Sequence, residues 1–208
     1  MIYTMRKLEE AHVDALQELI NIGVARAANL LNQMLGSRIV LKIPSVQVLS
    51  FSNLQKELKQ RFDKDDFAAV RLNFTGSFSG KANLIFPTTS ASKLVSVLTG
   101  EDANSPDLDS VKTGTLSEVG NIVINGIMGS ISNVLNQHLN YALPTYLEDS
   151  IEQVLSLDNV RQEAVFLLAQ ASFEIENLEL MGDIVLIFEM DSFDVLIDAI
   201  NKELELKV

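Results

Sequence analysis

Two short strings carry the side chains of chemical interest: Glu18-x-x-Asn21 within DALQELIN, and Glu118-x-x-Asn121 within LSEVGN. Glu and Asn three residues apart share one face of a helix, about 5–6 Å apart at Cβ. Asparagine does not titrate, so it cannot act as a general base at neutral pH. Its carboxamide can accept from and donate to a water, fixing that water for in-line attack, the role a glutamine plays in GTPases. The sequence has no P-loop and no set of metal ligands at a recognisable spacing. Each pair therefore reads as half an active site, inserted into a partner that supplies the phosphoryl group and its cation.

Four E-x-x-N strings occur: Glu18/Asn21, Glu101/Asn104, Glu118/Asn121 and Glu174/Asn177. Only the first and third are followed, 23 residues after the Asn, by proline, at Pro44 and Pro144. With four prolines in 208 residues, chance gives two such matches at a level of about 0.2%. Extending the helix face gives Asp14, Glu18, Asn21, Ala25, Ala28 and Asn32 in one copy. The other copy has Gly114, Glu118, Asn121, Asn125, Gly129 and Ser132. Small or polar stripes opposite Leu, Ile and Val leave the backbone accessible to a docking protein, with Asp14, Ala25 and Asn125 as its contacts. Asn and Gly are mediocre to poor helix formers, so helix stability does not account for them. Pro44 and Pro144 are expected to be structural, each ending or edging the strand after its helix, where a missing N–H is tolerated.

The elements that must position these pairs show in the hydropathy. Leu16, Leu19, Ile20, Val24, Ala27, Leu31 and Met34 recur at steps of three and four, predicting a helix from about Leu8 to Leu35 that stops at Gly36. Two strand candidates follow, SRIVLKIP closed by Pro44 and then VQVLSF, before a charged surface segment, LQKELKQRFDKDD. FAAVRLNF and GKANLIF read as a hairpin around TGSFSG, and SASKLVSVLTG as a helix ending at Gly100. After the acidic connector EDANSPDLDS the order restarts: a helix from roughly Thr115 to Leu139, strands AVFLLAQASFEIE and DIVLIFEM, and a closing helix SFDVLIDAIN. NLIFPTTSASKLVSVL also resembles VLIFEMDSFDVLIDAI, which marks an internal duplication of about 8–100 and 108–208 within a single domain. The expected fold is α+β, with two pseudo-symmetric halves, each bearing a long motif helix, sharing a mainly antiparallel central sheet.

Composition narrows the partners. Asp plus Glu outnumber Lys plus Arg by 28 to 16, a net charge of −12, which argues against a phosphate-backbone binder. No cysteine is present, which rules out thiolate chemistry, and two histidines, His12 and His138, do not make a His-rich metal site. No apolar run approaches a membrane span and no secretory pattern opens the chain, so a soluble cytoplasmic protein is expected. Met5, Met34 and Met128 read as core filler.

The arrangement Asp14-x3-Glu18-x2-Asn21-x22-Pro44, repeated as Glu118-x2-Asn121-x22-Pro144, resembles the signature of the CheC/CheX/FliY family of chemotaxis phosphatases. The likeness extends to NIG after the first motif and the FTG…SG…LIFP hairpin, and two motifs resemble CheC more than CheX. The resemblance implies a phosphatase acting on the aspartyl-phosphate of a CheY-type response regulator. Asn21 and Asn121 would orient water, and Glu18 and Glu118 would contact the regulator's active-site Lys. Mg²⁺ would belong to the regulator, with no cofactor of the chain's own, and the deamidase CheD would be a second partner. The second copy departs from the pattern at Gly114, where the family has Asp or Ser. The rival expectation is a non-enzymatic adaptor or flagellar switch-like module that binds CheY or CheD.

Overall fold

The computed structural model describes residues 8–35, 38–61, 66–102, 108–155, 164–175 and 178–205. Met5, Gly36, Asn104 and Asn177 lie outside them. In chain order the elements are α1 (Glu10–Leu35), β1 (Ile39–Leu49), α2 (Phe51–Arg61), β2 (Asp66–Gly76), β3 (Gly80–Pro87) and α3 (Thr88–Thr99). They continue as α4 (Leu108–Val134), β4 (Leu139–Tyr141), β5 (Thr145–Ser150), α5 (Ile151–Val154), β6 (Val165–Ile175), β7 (Leu178–Phe188) and α6 (Met190–Glu205).

Strand periodicity builds two cores. Ala68, Val70, Leu72 and Phe74 of β2 enter the larger one, while the alternate Phe67 and Ala69 enter the other. Helices α1, α3, α4 and α6 cover the first sheet face. The shorter α2 and α5 cover part of the second through Leu54, Leu58, Ile151 and Val154. The fold is thus α+β and layered, as expected, with a sheet whose pairings are all antiparallel.

Strand order is β1-β6-β7-β3-β2-β4, with β5 also on β2. Each edge strand is therefore laid on the hairpin of the opposite half of the chain. β1, which follows α1, pairs with β6; β4 and β5, which follow α4, pair with β2. Both prolines sit on these edges at a one-residue irregularity. Lys42 and Ser45 face Ser172 and Gln170, so two residues including Pro44 oppose one. Tyr141 and Thr145 face Phe74 and Arg71, so three residues including Pro144 oppose two. A bulge with a residue that cannot donate blunts an open edge against pairing with another chain.

Several boundaries differ from expectation. The second long helix runs Leu108–Val134, not Thr115–Leu139. Asn136, at φ 51°, takes the left-handed conformation, and the N–H groups of Gln137 and Asn136 return to the carbonyls of Ser132 (2.8 Å) and Asn133 (3.3 Å). That closes the helix before Leu139, and asparagine tolerates this conformation better than most residues. β1 continues through Pro44 as one strand because the bulge absorbs the proline. The charged segment is a helix with Leu54 and Leu58 fully buried. β4, β5 and α5 were not anticipated, since TYLEDS is polar and its strand character comes from pairing along β2. Met34 is 58% exposed rather than core, while Met128 is fully buried.

Candidate functional site

Helix α1 buries Leu16, Leu19, Ile20, Val24, Ala27 and Leu31; α4 buries Leu116, Val119, Val123, Ile124, Ile127 and Ile131. Each Leu, Ile or Val among them stabilises the fold by about 1.5–3 kcal/mol, so these rows fix the rotation of both helices. The opposite rows are then left outward. Asp14, Glu18, Asn21 and Ala25 are exposed, as are Gly114 and Glu118, while Asn121 and Asn125 are half-buried.

The two helices touch backbone to backbone. A Cβ on Gly23 would lie 2.4 Å from Ile127 Cα and 2.6 Å from the Gly126 carbonyl oxygen. The early turns of α1, through Ala11 and Ala15, line one groove with Val134 and Leu135 at the end of α4, while Gly23 lies against Ile127, so the helices run antiparallel. The crossing residues follow the motifs closely on both helices, Gly23 after Asn21 and Gly126 and Ile127 after Asn121, so both motifs flank a single tight contact.

In the first copy, Asp14, Gln17, Glu18, Asn21, Ile22 and Ala25 line one shallow concavity. Gln17 and Ile22 were not singled out from the sequence; they belong to it because they sit at i−1 and i+1 of the motif pair. Beside it, a groove of about 290 Å³ runs between α1, the end of α4 and α6, lined by Leu19, Val134, Ile200 and Leu204 with Asp14, Glu18 and Glu203 at its rim. Three carboxylates around an apolar floor suit a cationic side chain with an aliphatic stem. Neither Glu18 nor Asn21 makes a hydrogen bond or ion pair among the described residues. In the second copy, Asn125 Nδ2 donates to Asn121 Oδ1 at 2.7 Å.

Buried polar anchors set the start of each helix. His12 accepts the Glu9 N–H at Nδ1 (3.0 Å), so its proton is on Nε2, which donates to Asn201 Oδ1 of α6 at 2.7 Å. Its place on α4 is taken by Lys112, whose buried ammonium donates to both oxygens of Glu148 on β5 at 3.0 and 3.1 Å. Tyr146 adds a hydroxyl to the same carboxylate at 2.9 Å. Removing the Glu148 carboxylate strands a largely desolvated charge. Glu148→Ala is expected to lower stability by about 2 kcal/mol, read as a lower denaturant midpoint at unchanged slope.

The far ends of both stripes do other work. Asn32 Oδ1 accepts the N–H of Ile39 and pins the start of β1. Ser132 Oγ donates to the Gln137 carbonyl at 2.5 Å and holds the turn after α4. His138 lies past the end of α4, not within it. Gly114 has nothing within 4 Å of the Cβ it lacks, and it sits exposed inside a helix. Gly114→Ala is therefore expected to raise stability by about 0.5–1 kcal/mol, a gain of about 2–3 °C in Tm. Among the described residues no three or more His, Asp or Glu side chains come together as metal ligands would, and no helix is long and apolar enough to cross a membrane.

The family described as chemotaxis phosphatase CheX matches residues 68–167, a segment that holds Glu118, Asn121 and Pro144 but not the first copy. Over 207 residues the chain is 26% identical to the CheY-P phosphatase CheC of Bacillus subtilis (strain 168), covering 95% of this chain and 97% of that one. Among solved structures it is similar to Thermotoga maritima FliY, with a TM-score of 0.73 at 18% identity, covering 95% of this chain and all of that one. It is also similar to a chain of the CheX–CheY–BeF3–Mg²⁺ complex from Borrelia burgdorferi, with a TM-score of 0.52 at 16% identity over 83% of this chain and 99% of that one. At these identities the structural likenesses establish the fold.

Proposed function

We propose that this chain, which fits the CheC-type chemotaxis phosphatase family, accelerates hydrolysis of the aspartyl-phosphate on a CheY-type response regulator. The observation that carries the reading is the pair of Glu–Asn faces turned away from the core on two helices held by one crossing, with the first Glu–Asn pair and its flanks lining a concavity. Relatedness to a CheY-P phosphatase along nearly the whole chain supports it. The repeated element order and the exchanged edge strands support the reading of the chain as one duplicated domain with two such sites.

In this mechanism the helix face enters the regulator's site. The Asn21 or Asn121 carboxamide holds a water in line with the P–O bond to the regulator's aspartate. The water oxygen bonds to phosphorus, the aspartate oxygen leaves as carboxylate, and the water's proton leaves with inorganic phosphate or to solvent. Asparagine is no base, so the gain is positional: orienting the nucleophile and excluding alternative waters lowers the entropic part of the barrier. Glu18 and Glu118 anchor the regulator by pairing with a lysine ammonium, a charge-assisted contact. The divalent cation that neutralises the phosphoryl oxygens comes with the regulator, consistent with the Mg²⁺ in the CheX–CheY complex of the Borrelia relative.

The decisive experiment follows decay of a ³²P-labelled response regulator with and without this protein. Acceleration that saturates with regulator concentration supports the proposal. Binding without acceleration would instead establish an adaptor or switch-like module. CheD, a partner implied by the resemblance alone, is tested by the same titration in its presence: a proposed partner must change the regulator-decay rate or co-purify.

A further inference from the structure

We propose that Asn125 is a positioning residue: it holds the Asn121 carboxamide in its working orientation, so the second site turns over faster per bound regulator than the first. The inference rests on the reading of Asn121 as the water-orienting group. Asn125 lies one helical turn after Asn121, and its Nδ2 donates to Asn121 Oδ1 at 2.7 Å. The same place on α1 is Ala25, and Asn21 has no hydrogen-bond partner among the described residues.

Asn125 is not there for packing. Its own Oδ1 is buried without a hydrogen-bond partner, an arrangement that costs stability and that alanine, as in the first copy, would avoid. The unsatisfied oxygen also decides which way both amides face. Exchanging N and O in the pair would bury the Asn125 NH₂, two donors, in place of one carbonyl oxygen, which is the worse alternative. Asn121 Oδ1 is therefore the acceptor of the pair. Its second lone pair stays available to a water, while its Nδ2 has no partner among the described residues. In the first copy the carboxamide must be ordered when the regulator docks, whereas in the second much of that ordering is already in place. Immobilising one such side chain corresponds to about a two- to tenfold factor in rate.

Single-site proteins separate the copies. In Asn21→Ala, where only the second site remains, adding Asn125→Ala is expected to lower kcat about two- to tenfold. Asn125→Asp, which has no donor for Asn121 Oδ1, should behave like the alanine. In Asn121→Ala, where only the first site remains, adding Ala25→Asn is expected to raise kcat by a similar factor, a gain that a packing role does not produce. Unchanged kcat in both comparisons overturns the proposal. A second measurement is independent of activity: side-chain amide ¹⁵N relaxation in the wild type should show Asn121 more ordered than Asn21, and Asn125→Ala should abolish the difference. Equal mobility of the two amides overturns the proposal even if the protein is a phosphatase. No acceleration by the wild type defeats the functional reading and leaves the relaxation result to decide the role of Asn125.

Discussion

With both Asn21 and Asn121 replaced by alanine, decay of the phosphorylated regulator is expected to return to its spontaneous rate, a loss on the order of 10²-fold. The size follows from what the carboxamides do. They contribute no proton transfer, so their whole effect is to hold the nucleophile, and misplacement by about an ångström costs that much. Binding should survive, because Glu18 and Glu118 remain. They are exposed and keep their own helix face. Titrating the double variant with the phosphorylated regulator at fixed time separates the two effects, since complex formation should persist while turnover disappears. Normal acceleration by the double variant would sink the assigned mechanism. Each single variant should retain activity from the other copy.

The second large effect lies at the helix crossing. Gly23→Ala is expected to destabilise the protein by about 2 kcal/mol net, lowering Tm by about 4–8 °C. The sign decides between two principles. Alanine is the better helix former by about 1 kcal/mol, which alone would raise Tm. Against it, the new methyl would meet Ile127 Cα at 2.4 Å, the Gly126 oxygen at 2.6 Å and Ile127 N at 2.8 Å, all backbone atoms with no rotamer to yield. The helices must separate, and cores resist overpacking by about 1–3 kcal/mol or more. Because the crossing lies beside both motifs, the variant should also weaken turnover at both sites together. A thermal melt with Tm unchanged or raised would show that the crossing is looser than the structure has it. Gly114→Ala is the internal control, the same substitution on an open face with the opposite sign.

The comparison of the two glycines shows how legible the chain was. Both occur in helical patterns, and nothing local tells them apart. Gly23 is required by a neighbour more than a hundred residues away, while Gly114 touches nothing. Asn32 and Ser132 teach the same lesson on the polar stripe. Their spacing places them with the motif residues, yet their side chains hold backbone at the helix ends. Periodicity reports which face a residue shares; it does not report what stands opposite.

The amino-acid sequence by itself determined the two amphipathic helices, their outward Glu–Asn pairs, the two hairpins and the proline offset. These are consequences of local periods, which a linear pattern carries directly. Only the tertiary structure decided that each edge strand crosses to the other half, that Pro44 sits in a bulge and Pro144 between two strands on those edges, and that Asn125 bonds Asn121 while Ala25 leaves Asn21 free. The reason is physical. A polar segment such as TYLEDS becomes a strand when β2 offers its unpaired N–H and C=O groups, and a carboxamide finds its partner when the helix is rotated by the core beneath it. Both depend on long-range contacts, whose free energy is spread over residues far apart in the chain.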